Sequence, residues 1–179
     1  ITGMGGSAIG GDFISSLIDK NCMVPIIINR SYDIPGWVNK NTLVICSSYS
    51  GNTEETLTAL QKASKMNAQI IAVTTGGKLG KIAEKEKYDV VLIEQGLQPR
   101  AALGFSISLN LLLLEKIELV QSGIFKNLLS YSIIKLNEEL KVYSNFNNRN
   151  IAIKYAKLIH DKFPIIYSGE GWQGNCALR

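Results

Sequence analysis

Residues 43–56 read LVICSSYSGNTEET. Leu43 to Ser47 is a run of apolar and small residues, the pattern of a strand covered on both faces of a parallel sheet. A cluster of hydroxyls, a glycine and an asparagine follows. Helical spacing then begins, with Leu57, Leu60 and Ala63 recurring within Asn52 to Met66. Ser48, Ser50 and Thr53 are short side chains that can each donate a hydroxyl hydrogen bond. Gly51 permits a sharp turn, and Asn52 followed by Glu55 has the spacing of a capping box. Where a parallel strand gives way to a helix, unpaired amides point at whatever lies beyond the strand, and an anion is favoured there. The stretch therefore predicts a strand, a bound phosphate and a capped helix. A carboxylate beside a phosphate is unfavourable, so Glu55 is assigned to the cap and Glu54 to solvent.

The strand–loop–helix theme recurs on either side. Ile1-Thr2 reads as the end of a strand, Gly3 to Gly6 as a loop and Ser7 to Ile18 as a helix. Val24 to Asn29 is the next expected strand. Gln69 to Thr74 and Asp89 to Ile93 follow the serine-rich loop, with a short helix, Leu79 to Lys87, between them. Alternation of strands and helices predicts an α/β fold, a doubly wound parallel sheet flanked by helices. Ligands of such sheets bind beyond the carboxyl ends of the strands, where strand order reverses.

The chain then turns helical, over Ala101–Ser122, Ile124–Tyr143 and Asn150–Asp161, with the polar stretch YSNFNNRN (143–150) as a candidate linker. In the tail, FPIIYSGEGWQGNCALR, an apolar strand at Pro164–Ser168 runs into Gly169-Glu170-Gly171. Placing Gly3 on Gly169 and Gly5 on Gly171 superposes a strand end, a Gly-x-Gly turn and a helix. The expected organisation is a first domain over 1–143. Residues 144–179 then supply a linker, a helix and the start of a second, similar domain. The sequence opens on Ile1 rather than Met and ends just past a glycine turn, so it reads as part of a longer protein.

Composition removes several function classes. With 179 residues, 46% of them hydrophobic, the chain can build a full core. A net charge of +4, with lysines spread along helices, is too mild to argue for nucleic acid. Three cysteines without metal spacing suit a reducing, cytoplasmic setting, and Cys46 reads as core. With a single histidine, His160, a zinc site is not expected, and no cofactor is called for. The apolar stretch Ala101–Val120 is interrupted by Ser106, Ser108, Asn110, Glu115, Lys116 and Glu118. It falls short of the roughly 18 uninterrupted apolar residues of a membrane span and reads as a buried helix.

Two further loops fit the ligand-binding edge. In GMGGSAIGG, Gly3 to Gly11, glycines allow close approach of backbone to ligand, and a helix start near Ser7 points amides at it. In QPRAALG, Gln98 to Gly104, Pro99 fixes a turn and Arg100 stands at a helix start. A cation there opposes the helix dipole. That suggests another task, such as meeting an anion with its planar fork; a solvated surface arginine is the alternative. Lys78 follows Gly76-Gly77, but no Gly-Lys-Ser/Thr motif is present, which argues against triphosphate hydrolysis.

Together GMGGSAIGGD, SSYSGNTEET and QPRAALG resemble the sugar isomerase (SIS) domain family, and within it the bifunctional phosphoglucose/phosphomannose isomerases. The resemblance spans the chain, and the second glycine turn is similar to the start of that family's second SIS domain. It implies that Gly6 and Ser7 lie against the substrate, that Ser48, Ser50 and Thr53 hold its phosphate, and that Arg100 acts catalytically on charge developing at an enediolate oxygen. The implied substrate is a hexose 6-phosphate, exchanged between glucose or mannose 6-phosphate and fructose 6-phosphate, without a metal and usually in a homodimer. The family's glutamate base, ring-opening histidine and a lysine stand beyond the position matching Arg179. His160 and Glu170 do not match them. The resemblance thus implies a segment that holds phosphate but lacks the base. Two rivals are a non-catalytic SIS module that senses a sugar phosphate and a dinucleotide-binding dehydrogenase. For the latter, Gly3-x-Gly5-x-x-Ala8 imitates the fingerprint and Arg30 could meet a 2′-phosphate, but the serine loop has no role.

Overall fold

The computed structural model describes residues 1–18, 22–147 and 150–178. Part of the expected linker, Asn148 and Arg149, and the terminal Arg179 lie outside the described residues. Three parallel strands, β1 (Leu43–Ser48), β2 (Gln69–Thr74) and β3 (Asp89–Leu92), stand in the order β1-β2-β3. Before β1, Thr2 forms parallel bridges to Cys46 on one side and to Asn29 on the other. The Thr2 amide donates to the Ile45 carbonyl (2.9 Å), and the Gly3 amide to the Asn29 carbonyl (3.1 Å). The first segment of the chain therefore lies between the second and the third. Strand order reverses at that point, between Thr2 and β1.

The expected strand at Val24–Asn29 is reduced to a bridge at Asn29. Its ladder partner is only the Ile1–Gly3 stretch, so regular bonds reach no further than Ile27 to Asn29. Pro25 has no amide to contribute. The expected strand at Pro164–Ser168 does not form either; Ile165, Ile166 and Tyr167 are exposed, with no strand beside them among the described residues.

Helices α1 (Gly5–Ile18), α2 (Glu54–Lys65), α3 (Gly77–Glu86) and α4 (Leu103–Lys116) cover the sheet. Strand alternation sorts them to two faces. Ile45 and Val73 pack with Ile14 and Ile18 of α1 and Leu111 and Leu114 of α4. Val44, Cys46, Ile70 and Ala72 pack with Leu60 and Ala63 of α2 and Leu79 and Ala83 of α3. Cys46 is fully buried, and desolvation pushes its thiol from the ordinary 9.0 up to about 12, as a plain core residue requires. Helices α1 and α4 meet at Gly10, where an added Cβ would stand 2.7 Å from Ser106 Cβ.

Helix α4 stops at Lys116, short of the expected Ser122, and Glu118 takes a left-handed φ of 60°. The Glu115 carboxylate then receives the Gly123 and Phe125 amides (2.6 and 3.0 Å) and so caps α5 (Ile124–Tyr143). Helix α5 buries only Phe125. The stretch expected as a linker is a tied turn: buried Asn150 donates to the Tyr143 and Asn145 carbonyls and caps α6 (Ile151–Ile159) through the Ala152 amide. Helix α7 (Trp172–Ala177) packs on α1, with Asn175 Nδ2 donating to Ser16 Oγ at 3.1 Å. Gly5 and Gly171, paired by the sequence repeat, both take positive φ (49° and 80°) at a helix start. No helix among the described residues is long and apolar enough to cross a membrane.

Candidate functional site

The site is set by the order reversal, because the loops leaving Thr2 and β1 diverge to opposite faces and leave a crevice between them. β1 ends at Ser48, whose side chain is buried at the sheet edge. The chain reverses through Gly51 at φ 67°, where a Cβ would come within 2.0 Å of the Gly76 carbonyl oxygen. Only glycine fits there. The Gly51 amide donates to both Ser48 O and Ser48 Oγ (3.1 Å each). Ser48 Oγ and Thr53 Oγ1 share a hydrogen bond of 2.8 Å, so two of the three predicted hydroxyls are paired at the turn. The third, Ser50, is exposed and accepts the Asn52 amide at 3.2 Å.

The capping box expected from Asn52 and Glu55 does not form. Thr53 is the residue before α2, at φ −68° and ψ 116°, and its side chain makes no cap bond. Its hydroxyl is turned to Ser48 instead. Asn52 braces the neighbouring loop, accepting the Lys78 amide (3.1 Å) and donating to the Ser50 carbonyl (3.2 Å). The Glu55 carboxylate hydrogen-bonds Tyr32 and raises the pKa of that phenol, while Glu54 is exposed as expected. Thr53 thus gives α2 no side-chain cap, which leaves the amides of its first turn to an incoming anion.

Across the crevice stands the glycine loop. A Cβ on Gly3 would meet the Ser47 carbonyl at 2.7 Å, so glycine is required for the two strand ends to lie this close. Gly6 and Ser7 sit in the first turn of α1, half-buried, and the Ser7 carbonyl accepts Ser106 Oγ of α4 at 3.3 Å. The loop after β3 closes the third side. A Cβ on Gly6 would lie 3.5 Å from the Pro99 carbonyl oxygen, which puts Arg100, exposed in the turn before α4, next to the glycine loop. Sequence reasoning did not foresee the role of Tyr49. Its hydroxyl donates to the Glu94 carbonyl (3.1 Å) and accepts the Leu97 amide (3.0 Å), tying the loop after β3 to the serine loop. A tyrosine flanked by two candidate ligand serines was the available signal.

A cavity of about 660 Å³ lies at the opposite, amino edge of the sheet, lined among others by Trp37, Leu43, Gln69 and Asp89. Its lining is largely apolar and includes the acid Asp89, which disfavours an anion. No group of acids, histidines and cysteines among the described residues could hold a metal ion. His160 is exposed beside Asp161 (2.9 Å), and Glu170 is exposed before α7.

A profile of the SIS domain matches residues 1–115, the stretch that holds all three loops. The chain belongs to the SIS domain family. A bifunctional phosphoglucose/phosphomannose isomerase of Caldicellulosiruptor bescii is 44% identical over 96% of this chain and 50% of its own length. One from Aquifex aeolicus is 33% identical over 96% of this chain and 52% of its own. The chain thus spans about half the length of these curated relatives. A hypothetical protein from Thermus thermophilus shares the fold, with a TM-score of 0.57 at 18% identity over 89% of this chain and 40% of its own. The expected α/β architecture with a parallel sheet flanked by helices is the SIS architecture observed.

Proposed function

We propose that this SIS chain carries the phosphate-binding half of an aldose–ketose isomerase that exchanges glucose 6-phosphate or mannose 6-phosphate with fructose 6-phosphate. The observation that carries it is the Ser48–Thr53 hydroxyl pair at the mouth of an uncapped helix, set at the strand-order reversal. The phosphate sits on Ser48, Ser50 and Thr53 and the first amides of α2, where hydrogen bonds to its charge are stronger than neutral ones. The sugar extends toward Gly6 and Ser7, beneath the turn that carries Arg100. Proton transfer between C1 and C2 passes through an enediolate, and the Arg100 guanidinium stabilises the charge on its oxygen. His160 and Glu170 are exposed and are not the base that moves that proton; on this reading, in which the family places the base elsewhere, the 179 residues hold phosphate without isomerising by themselves.

The domain reading belongs with this proposal. Residues 1–143 form a first SIS domain and 144–179 lead into a second; the matched positive-φ glycines Gly5 and Gly171 support it. The apolar side chains that α5 leaves exposed, among them Leu128, Ile134, Leu136 and Leu140, suit a face covered by that second domain or by a homodimer partner. A cytoplasmic location fits the free cysteines.

The test is incubation of the full-length gene product with fructose 6-phosphate and separation of the products. Formation of both glucose 6-phosphate and mannose 6-phosphate is expected. Binding without any product would replace the isomerase by a sugar-phosphate sensor.

A further inference from the structure

We propose that Tyr49 is a positioning residue, whose hydroxyl sets the place of Arg100 relative to the phosphate loop. The inference rests on the isomerase reading above and extends it to a residue between the two candidate phosphate serines. Tyr49 is held at both ends. Its carbonyl accepts the Thr75 amide (3.1 Å) and the Thr75 hydroxyl (2.7 Å), which fixes the backbone of the serine loop against the end of β2. Its ring packs against the core formed with α1 and α4. At the far tip, the hydroxyl takes the Leu97 amide and gives its proton to the Glu94 carbonyl. The phenol's proton and an acceptor site are thereby used within the protein, so Tyr49 is not a further phosphate donor.

The segment it grips leads to Arg100. Gln95 adds a second hold, donating to the Thr75 carbonyl at 2.8 Å. Past Leu97 the chain enters a turn closed by the Ala101 amide on the Gln98 carbonyl (2.8 Å), with Pro99 against Gly6. Residues 94–101 are exposed and carry no regular secondary structure. Tyr49, Gln95 and the approach of Pro99 to Gly6 thus hold the segment that presents Arg100. The brace therefore bears on the separation between a phosphate seated on Ser48 and Ser50 and the guanidinium on the neighbouring loop. Misplacement of a charge-stabilising group by about 1 Å can cost on the order of 100-fold in rate.

The test uses Tyr49→Phe, Arg100→Ala and the double variant in the full-length gene product. Tyr49→Phe keeps the packed ring and removes only the hydroxyl. The expected result is a fall in kcat for fructose 6-phosphate of about tenfold or more, with affinity within about threefold of the parent. Because Tyr49 acts through Arg100, adding Tyr49→Phe to Arg100→Ala costs nothing further. Amide exchange across residues 94–102 speeds up in Tyr49→Phe, while α1 and β2 keep their protection. An unchanged kcat, or an effect that multiplies with that of Arg100→Ala, overturns the proposal and leaves the isomerase reading standing. A parent protein that binds fructose 6-phosphate without turnover removes the isomerase reading and the catalytic part of this one. Unchanged exchange across 94–102 removes the brace itself.

Discussion

On the proposed function, Ser48→Ala should cost both stability and phosphate affinity, and Ser50→Ala chiefly affinity. Ser48 is 3% exposed, and its Oγ bonds Thr53 Oγ1 at 2.8 Å and accepts the Gly51 amide at 3.1 Å. Its removal leaves the Thr53 hydroxyl without that partner, whereas the Gly51 amide keeps the Ser48 carbonyl. Losing one partly buried hydrogen bond and stranding its partner costs about 1–2 kcal/mol of stability. A hydrogen bond to a charged phosphate contributes about 1.5–3 kcal/mol. At about 1.4 kcal/mol per tenfold, that is a loss of about 10- to 100-fold in affinity. Ser50 is exposed, and the Asn52 amide it accepts can turn to water. Ser50→Ala therefore loses a similar factor in affinity while its stability stays within about 0.5 kcal/mol of the parent. Calorimetric titration with fructose 6-phosphate and with inorganic phosphate gives the affinities, and urea unfolding gives the stabilities. Parental affinity in both variants would refute the assignment of the hydroxyl loop to phosphate.

Arg100→Ala is expected to lower kcat by about 10²–10³ with a much smaller change in KM, because the charge it meets exists mainly in the transition state; steady-state kinetics on fructose 6-phosphate will show a KM effect instead if Arg100 only binds substrate. Gly10→Ala places a Cβ 2.2 Å from Ser106 Oγ and 2.7 Å from Ser106 Cβ, and should cost about 1–3 kcal/mol in urea unfolding. Adding Ser106→Gly should recover part of the loss, and a failure to recover any would place the clash elsewhere. Cys46, with its thiol raised to about 12, should resist a thiol reagent at pH 8 until the chain is unfolded, while exposed Cys176 reacts at once. Because the folded state raises this pKa, the contribution is complete below the ordinary value of 9.0. It declines as pH rises from there toward 12, so the parent loses stability across that window faster than Cys46→Ala.

The parts of this molecule that are local in origin could be read from the chain. Strands β1 and β2 are short Val/Ile-rich runs between glycines and polar turns, and α2 has regular spacing, so pattern alone places them to within a residue or two. The three candidate loops stand out in the chain because each is composition concentrated at a strand-to-helix change. What escaped the reading depends on which distant residue arrives beside a given one. Asn52 has a good capping sequence, yet Thr53 stands before the helix, because Ser48 at the strand end takes the Thr53 hydroxyl and the loop after β2 takes the Asn52 side chain. Glu115 caps the helix that follows its own, across a turn in which Glu118 is left-handed. The Val24–Asn29 run has the composition of a strand, but a strand needs a partner of equal length, and Ile1–Gly3 supplies only a short one. Tyr49 is the same kind of case, since its partners lie 45 and 48 positions away in the chain.

The order reversal also explains why the densest glycines and the serines face one another. After Thr2 the chain enters α1 on one face of the sheet, and after β1 it enters α2 on the other. Two helix starts therefore open onto the same crevice, and their amides favour negative charge there. For both to approach, the strand ends must touch with no side chain between them. Gly3 against the Ser47 carbonyl meets that demand, since a Cβ would overlap at 2.7 Å, while Gly51 against the Gly76 carbonyl, at 2.0 Å, seats the serine loop on the loop after β2. Neither helix start, however, contributes a full positive charge. The loop after β3 supplies one by reaching across to Gly6, and it does so from the edge of the sheet rather than from the switch point. On the proposed function, phosphate affinity and charge stabilisation fall to separate loops, so removing a serine should weaken binding while freeing the Arg100 loop should slow the chemistry.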